Sequence, residues 1–131
     1  LTNESQDALF ASVKKHLNEG GEFVFNTRNP ILAELAVVDT YEETYERNGE
    51  TIHVKSEETY EPLTQILTCT STYSTPTRTY EDSIKLRYTY PLELQRLLAQ
   101  HGFEVVALYG SWKKAEFTAS SVSMVMHVRL K

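Results

Sequence analysis

Three short stretches carry the side chains whose types and spacing fit chemistry. The first is Asn26-Thr27-Arg28-Asn29-Pro30, which follows the apolar run Phe23-Val24-Phe25. A guanidinium at Arg28 can hold an acidic group through two parallel hydrogen bonds. The competing reading is an Asx-type turn ahead of the proline, with a solvated arginine. The second stretch holds Arg87, Tyr88 and Tyr90. Arg87 can clamp a carboxylate and a tyrosine can orient an acceptor. Equally, Arg87 can pair across strands with Glu57, Glu58 or Glu61, leaving two half-buried tyrosines. The third is Tyr109-Gly110-Ser111-Trp112. Its rings fit an aromatic wall or a cation–π seat for an amine, or simple packing of a turn onto the core. Arg28, Arg87, Tyr88, Tyr109 and Trp112 are therefore the candidate substrate-binding residues. No catalytic residue can be assigned.

Other chemistries find no support. His16, His53, His101 and His127 lack metal-ligand spacing and Cys69 is a single cysteine, so no metal site is expected. One cysteine allows no internal disulfide and fits a reducing, cytoplasmic setting. Ser120-Ser121 lies in no nucleophile-elbow pattern. The carboxylates at Glu42, Glu43, Glu46 and at Glu57, Glu58, Glu61 read as a solvated sheet face. A net charge of −5 repels phosphate backbones, so nucleic acid is not an expected partner. No apolar run approaches the roughly 20 residues of a membrane span, and no secretory signal pattern opens the chain. At 131 residues the chain suits one domain with its own core.

The elements that must position these residues follow from periodicity. Asn3 and Gln6 read as a capping pair. Leu9, Phe10, Val13 and Leu17 recur at helical spacing, and Gly20-Gly21 closes that helix. Glu22 to Asn26 reads as a strand covered on both faces, because Phe23, Val24 and Phe25 are consecutive apolar residues. Residues 37–90 are rich in Tyr, Thr, Glu, Val and Ile and predict three or four antiparallel strands with one wet face. The reversals fall at Asn48-Gly49, between Tyr60 and Gln65, and at Ser74 to Thr77. Pro91 opens a second helix through Leu94, Leu97 and Leu98, and Gly102 stops it. Phe103 to Tyr109 and Ser121 to Leu130 read as the last two strands. The expectation is α/β: residues 1–131 form one domain, with an α/β part at 1–30 and 91–131 and an antiparallel β insert at about 37–90.

In that order the residues resemble a known family. "FASVKKHLNEGGEFVFNTRNP" is similar to the helix and fifth strand of class I S-adenosylmethionine-dependent methyltransferases. "LRYTYPLELQRLLAQHGFEVVALYGSW" resembles their next helix–strand unit, and "SVSMVMHVRLK" resembles their final antiparallel strand. The insert is similar in placement and type to the substrate-covering β insert of small-molecule members. The resemblance implies the C-terminal part of a Rossmann-like methyltransferase sheet. It implies that the intact protein is an enzyme that uses S-adenosylmethionine and a small-molecule methyl acceptor. The family's glycine-rich loop and ribose-binding acidic residue have no counterpart in this sequence. A missing N-terminal portion is expected, in keeping with a chain that does not begin with Met. This fragment alone is therefore expected neither to bind the cofactor nor to catalyse transfer. The family's fifth strand would lack its neighbour, so a homo-oligomer, most simply a dimer, is expected. The alternative is a self-contained β-rich module that binds a small ligand or another protein without catalysis.

Overall fold

The structure is a computed structural model that describes residues 1–31, 35 and 38–131. The chain divides into two compact units, Leu1–Glu34 with Tyr88–Lys131, and Leu35–Arg87. The first unit holds helix α1 (Asn3–His16), strand β1 (Glu22–Arg28), helix α2 (Pro91–Gln100) and the final two strands. The second holds β2 (Val38–Arg47), β3 (Glu50–Glu61), β4 (Ile66–Ser74) and β5 (Thr79–Arg87). The final strands are β6 (Phe103–Tyr109) and β7 (Ser123–Leu130).

In the first unit the strand order is β1-β7-β6, and both pairings of β7 are antiparallel. β1 and β6 are therefore parallel to each other and separated by an opposed strand. Both helices contribute to a core formed by Phe10, Leu94, Leu98, Phe103, Met124, Met126 and Val128. Met124, Met126 and Val128 alternate along β7, so its helix-facing side is apolar, as period-two patterning requires. Phe23 and Phe25 of β1 pack against that core, with their rings stacked at 4.7 Å. Val24 points the other way and is 46% exposed. The strand is thus covered on one face only, against the expectation of two.

The helix ends differ from the sequence reading in an instructive way. The N-cap is Thr2, not Asn3. Its backbone is extended, its Oγ1 accepts the Ser5 N–H at 3.2 Å, and Ser5 Oγ accepts the Thr2 N–H at 2.9 Å. This reciprocal pair satisfies two otherwise unpaired donors, and Asn3 already lies inside the first turn. Gln6 is freed for a tertiary bond, donating to Thr89 Oγ1 at 2.8 Å. α1 stops at His16 with Leu17 extended, so the glycines are not its cap. Gly20, at φ +71°, instead makes the reversal into β1. α2 begins at Pro91 as expected, and Gly102 at φ +83° follows its end. His101 Nε2 lies 2.9 Å from Asp7 Oδ1, tying the end of α2 to α1.

The second unit is a meander in the order β2-β3-β4-β5, antiparallel throughout. Asn48 and Gly49 form the two-residue loop between β2 and β3, with φ of 54° and 79°. Positive φ at both positions is the mirror-image turn that matches strand twist. The other two reversals fall where the prolines Pro62 and Pro76 stand. On β3, buried Ile52, Val54 and Ser56 alternate with exposed His53, Lys55 and Glu57. β2 is exposed along its whole length. The expected start of the insert at 37 lies outside the described residues.

Leu98 is fully buried and Leu92, on the same helix, is 74% exposed. Leu98→Ala should lower unfolding free energy by about 2–5 kcal/mol, through lost burial and the cavity left behind. Leu92→Ala should stay within about 0.5 kcal/mol of wild type. Urea denaturation followed by circular dichroism measures both.

Candidate functional site

β1 extends past the expected end at Asn26 to Arg28, so Thr27 and Arg28 belong to the strand and not to a loop. The reason lies in β7: Asn26 pairs with Val125, Thr27 with Met124 and Arg28 with Ser123. Asn29 continues the tie. Its N–H donates to the Val122 carbonyl at 2.9 Å, and its Nδ2 donates to the Ser121 carbonyl at 2.7 Å. Asn29 is 5% exposed, a buried clamp and not a solvated turn residue.

The sheet's second face reads as cross-strand rows. Glu22, Arg129 and Glu104 form one; Val24, His127 and Ala107 the next; Asn26, Val125 and Tyr109 the third; Arg28 and Ser123 the last. Because β1 and β6 are parallel, their C-terminal ends lie at the same edge of the sheet. Arg28 ends one strand and Tyr109 ends the other. Open α/β sheets bind ligands beyond that edge.

Tyr109 and Trp112 line one cleft of about 210 Å³ together with Glu22, Val24, Val125 and His127. His127 Nε2 lies 3.0 Å from a Glu22 carboxylate oxygen. Sequence reading missed this pair because the partners stand on strands far apart in the chain. The cleft's rim depends on Gly110. A β-carbon there would lie 2.5 Å from Ser121 Oγ and 2.8 Å from the Glu116 carbonyl oxygen. Only glycine allows the Gly110 N–H to reach the Ala115 carbonyl at 2.9 Å. That turn displays Trp112, which is 62% exposed.

The remaining candidates fall elsewhere. Tyr88 is 2% exposed, so its ring is interior. Arg87 ends β5 opposite Ile66 and is partly buried. In the second unit, Tyr41 Oη lies 3.5 Å from Glu58 Oε1 and 3.8 Å from Cys69 Sγ. Hydrogen bonding with Ser56 favours the phenolate. Burial, the Cys69 thiol and the Glu58 carboxylate outweigh it and hold the Tyr41 phenol above its ordinary range. Among the described residues no three His, Cys, Asp or Glu side chains gather as a metal site requires. No helix among them is long and apolar enough to cross a membrane.

No protein-family model matches the chain, and no curated protein sequence matches it. Solved structures do. The CcbJ methyltransferase from Streptomyces caelestis aligns with 98% of this chain and 54% of its own, at 25% identity and a TM-score of 0.83. CalS10, an amino pentose methyltransferase from Micromonospora echinaspora solved with S-adenosylmethionine bound, aligns with 98% of this chain and 52% of its own. Its identity is 16% and its TM-score 0.71. The sugar N-methyltransferase KedS8 from a Streptoalloteichus species aligns with 95% of this chain and 49% of its own, at 16% identity and a TM-score of 0.67. The chain spans about half the length of the solved structures it matches. The resemblance read from the sequence holds in the fold: the chain is built as part of a Rossmann-like methyltransferase sheet with an antiparallel β insert.

The glycines of this chain do not form a cradle of the kind that holds a cofactor's phosphate or methionine end. Of five glycines, Gly20 and Gly21 precede β1, Gly49 turns a hairpin, Gly102 follows α2, and Gly110 packs against Ser121. None stands in a strand-to-helix loop where backbone N–H groups converge.

Gly110→Ala should destabilise the first unit by about 1–3 kcal/mol, since backbone must move to admit the methyl group. Trp112 is the only tryptophan, so its fluorescence reports on the rim directly. In wild type, acrylamide should quench it readily; in Gly110→Ala, emission should shift before global unfolding begins.

Proposed function

We propose that this chain is the C-terminal, acceptor-side part of a cytoplasmic S-adenosylmethionine-dependent methyltransferase acting on a small molecule. The observation that carries this reading is the fold match over 98% of the chain at a TM-score of 0.83. The placement of Arg28 and Tyr109 at the C-terminal ends of two parallel strands supports the same assignment. Among the solved structures, one acts on an amino pentose and one is a sugar N-methyltransferase. A hydroxylated acceptor bearing an amine is accordingly the proposed substrate class.

The roles follow from the chemistry of the side chains. Arg28 and Arg87 are each proposed as a charge able to hold an anionic group of an acceptor. Tyr109 and Trp112 supply aromatic faces to the sugar ring or its amine. Tyr88, buried as it is, fixes the chain between insert and helix and acts through packing. The methyl donor belongs to the part of the enzyme that carries the glycine loop. This chain's contribution is to orient the acceptor, and positioning is the main requirement of a group transfer of this kind. Taken alone, the chain is proposed to be inactive.

Two measurements test the proposal. In the complete enzyme, Arg28→Ala and Arg87→Ala should each lower kcat/KM about tenfold or more toward an anionic amino-sugar acceptor, without unfolding the protein. Full activity in both variants would remove the acceptor-side assignment. Calorimetry of the isolated 131-residue chain with S-adenosylmethionine should show no saturable heat at micromolar concentrations. Saturable binding would mean that the donor site lies, at least in part, within these residues.

A further inference from the structure

The four strands of the second unit follow one another without interruption between Val38 and Arg87. The make-up of each face of that sheet is therefore fixed within these residues. Side chains alternate along a strand, and the pairing register lines them up across it. One face carries the row Glu43-Val54-Tyr73-Tyr80 and the row Tyr41-Ser56-Ser71-Asp82. Next to them lies Asp39-Glu58-Cys69-Ile84, and Tyr45 stands opposite Ile52 at the hairpin end. The other face carries Lys55, Lys85 and Arg87 among threonines and glutamates.

The two faces differ in kind. Every tyrosine of the meander stands on the first face. Tyr41, Tyr45 and Tyr80 are 44%, 38% and 49% exposed, so ring surface is open to a ligand. Tyr73 and Tyr80 stack with centroids 4.7 Å apart and planes within 5° of parallel. The charge is one-sided as well. Asp39, Glu43, Glu58 and Asp82 lie among these tyrosines, and no lysine stands with them. Arg47, the arginine of that face, ends β2 opposite Glu50. Among the described residues no lysine or arginine pairs with the four carboxylates. On the other face, by contrast, Lys55 lies 4.0 Å from Glu42.

Carboxylates attract a cation by charge and tyrosine rings attract it by their quadrupole. The carboxylates stand too far apart for a metal ion: among the described residues no three such side chains gather. Spread carboxylates between aromatic faces suit a larger cation, an ammonium group carried on carbon. A second copy of this chain is a poor occupant, since the chain carries a net charge of −5 and like charges would meet. We propose that the tyrosine face of the meander is a seat for an organic ammonium ion, built on the stacked Tyr73 and Tyr80 with Asp82 and Glu43 beside them. Tyr80 and Asp82 stand two residues apart on β5, about 7 Å along one face. Glu43 heads the row that Tyr80 ends. That the ammonium belongs to the sugar acceptor rests on the transferase reading; the seat itself does not.

Titration of the isotope-labelled 131-residue chain with glucosamine, followed through its backbone amide resonances at neutral pH and low salt, tests the seat. Saturable shifts should fall on β4 and β5. Glucose, which has a hydroxyl in place of the amine, should bind about tenfold more weakly or worse. Tyr80→Phe keeps the ring face and should stay within about twofold of wild type. Tyr80→Leu and Asp82→Asn should each weaken binding about two- to fivefold. Glu81→Gln, on the opposite face, should leave it unchanged. Glucosamine that binds no tighter than glucose, shifts confined to the first unit, or a Tyr80→Leu variant that binds as wild type overturns the inference. The Arg28 and Arg87 variants of the complete enzyme read the transferase assignment separately. A loss of activity there with no glucosamine binding here removes the seat and leaves that assignment in place.

Discussion

The first unit depends on β7. It is the one strand that both other strands of the sheet use, so β1 and β6 are neighbours only through it. Its helix-facing residues Met124, Met126 and Val128 are among the most deeply buried in the chain. A side chain so enclosed contributes on the order of 1.5–3 kcal/mol of burial. The antiparallel setting of β7 is also what makes β1 and β6 parallel. That is why Arg28 and Tyr109, eighty residues apart in the chain by rough count, end at one edge of the sheet. Packing and site placement therefore rest on the same eight residues.

The candidate site is built from strand ends and one tight turn, not from a loop of catalytic groups. Asn29 shows how the backbone is held: two hydrogen bonds lock it to Val122 and Ser121. Gly110 approaches the same segment from β6 and meets Ser121 so closely that no side chain fits. The stretch 121–122 is thus pinned from both flanks. A frame held in this way suits the acceptor-orienting role proposed for Arg28 and Trp112.

Much of this was legible in the sequence, and the limits have physical causes. The hairpin at Asn48-Gly49, the Pro91 helix start and the strand Phe103–Tyr109 each carry a local signal strong enough to stand alone. The cap at Thr2 was misplaced by one residue because Asn3 and Thr2 are both good caps. Their difference is decided by Ser5 reaching back. Thr27 and Arg28 looked like a loop because their composition is polar. Only the pairing with β7 makes them strand, and that pairing is non-local. Val24 looked buried because one-dimensional apolar runs do not say which face is covered. The Glu22–His127 contact had no sequence signal at all, since neither its spacing nor its residue types form a motif.

The pairing of β1 with β7 joins Glu22 to Arg129 and Arg28 to Ser123, closing a loop of roughly a hundred residues. The second unit lies wholly within that loop and is made of three tight hairpins. During synthesis the meander can therefore form while β7 has yet to be made. The sheet that surrounds it in sequence must wait, with α1 and the apolar side of β1 uncovered. Local contacts form quickly and distant strand pairs slowly. β1 is thus made ahead of the meander, yet completes its pairing with β7 only after it, so its apolar side needs shelter throughout that interval.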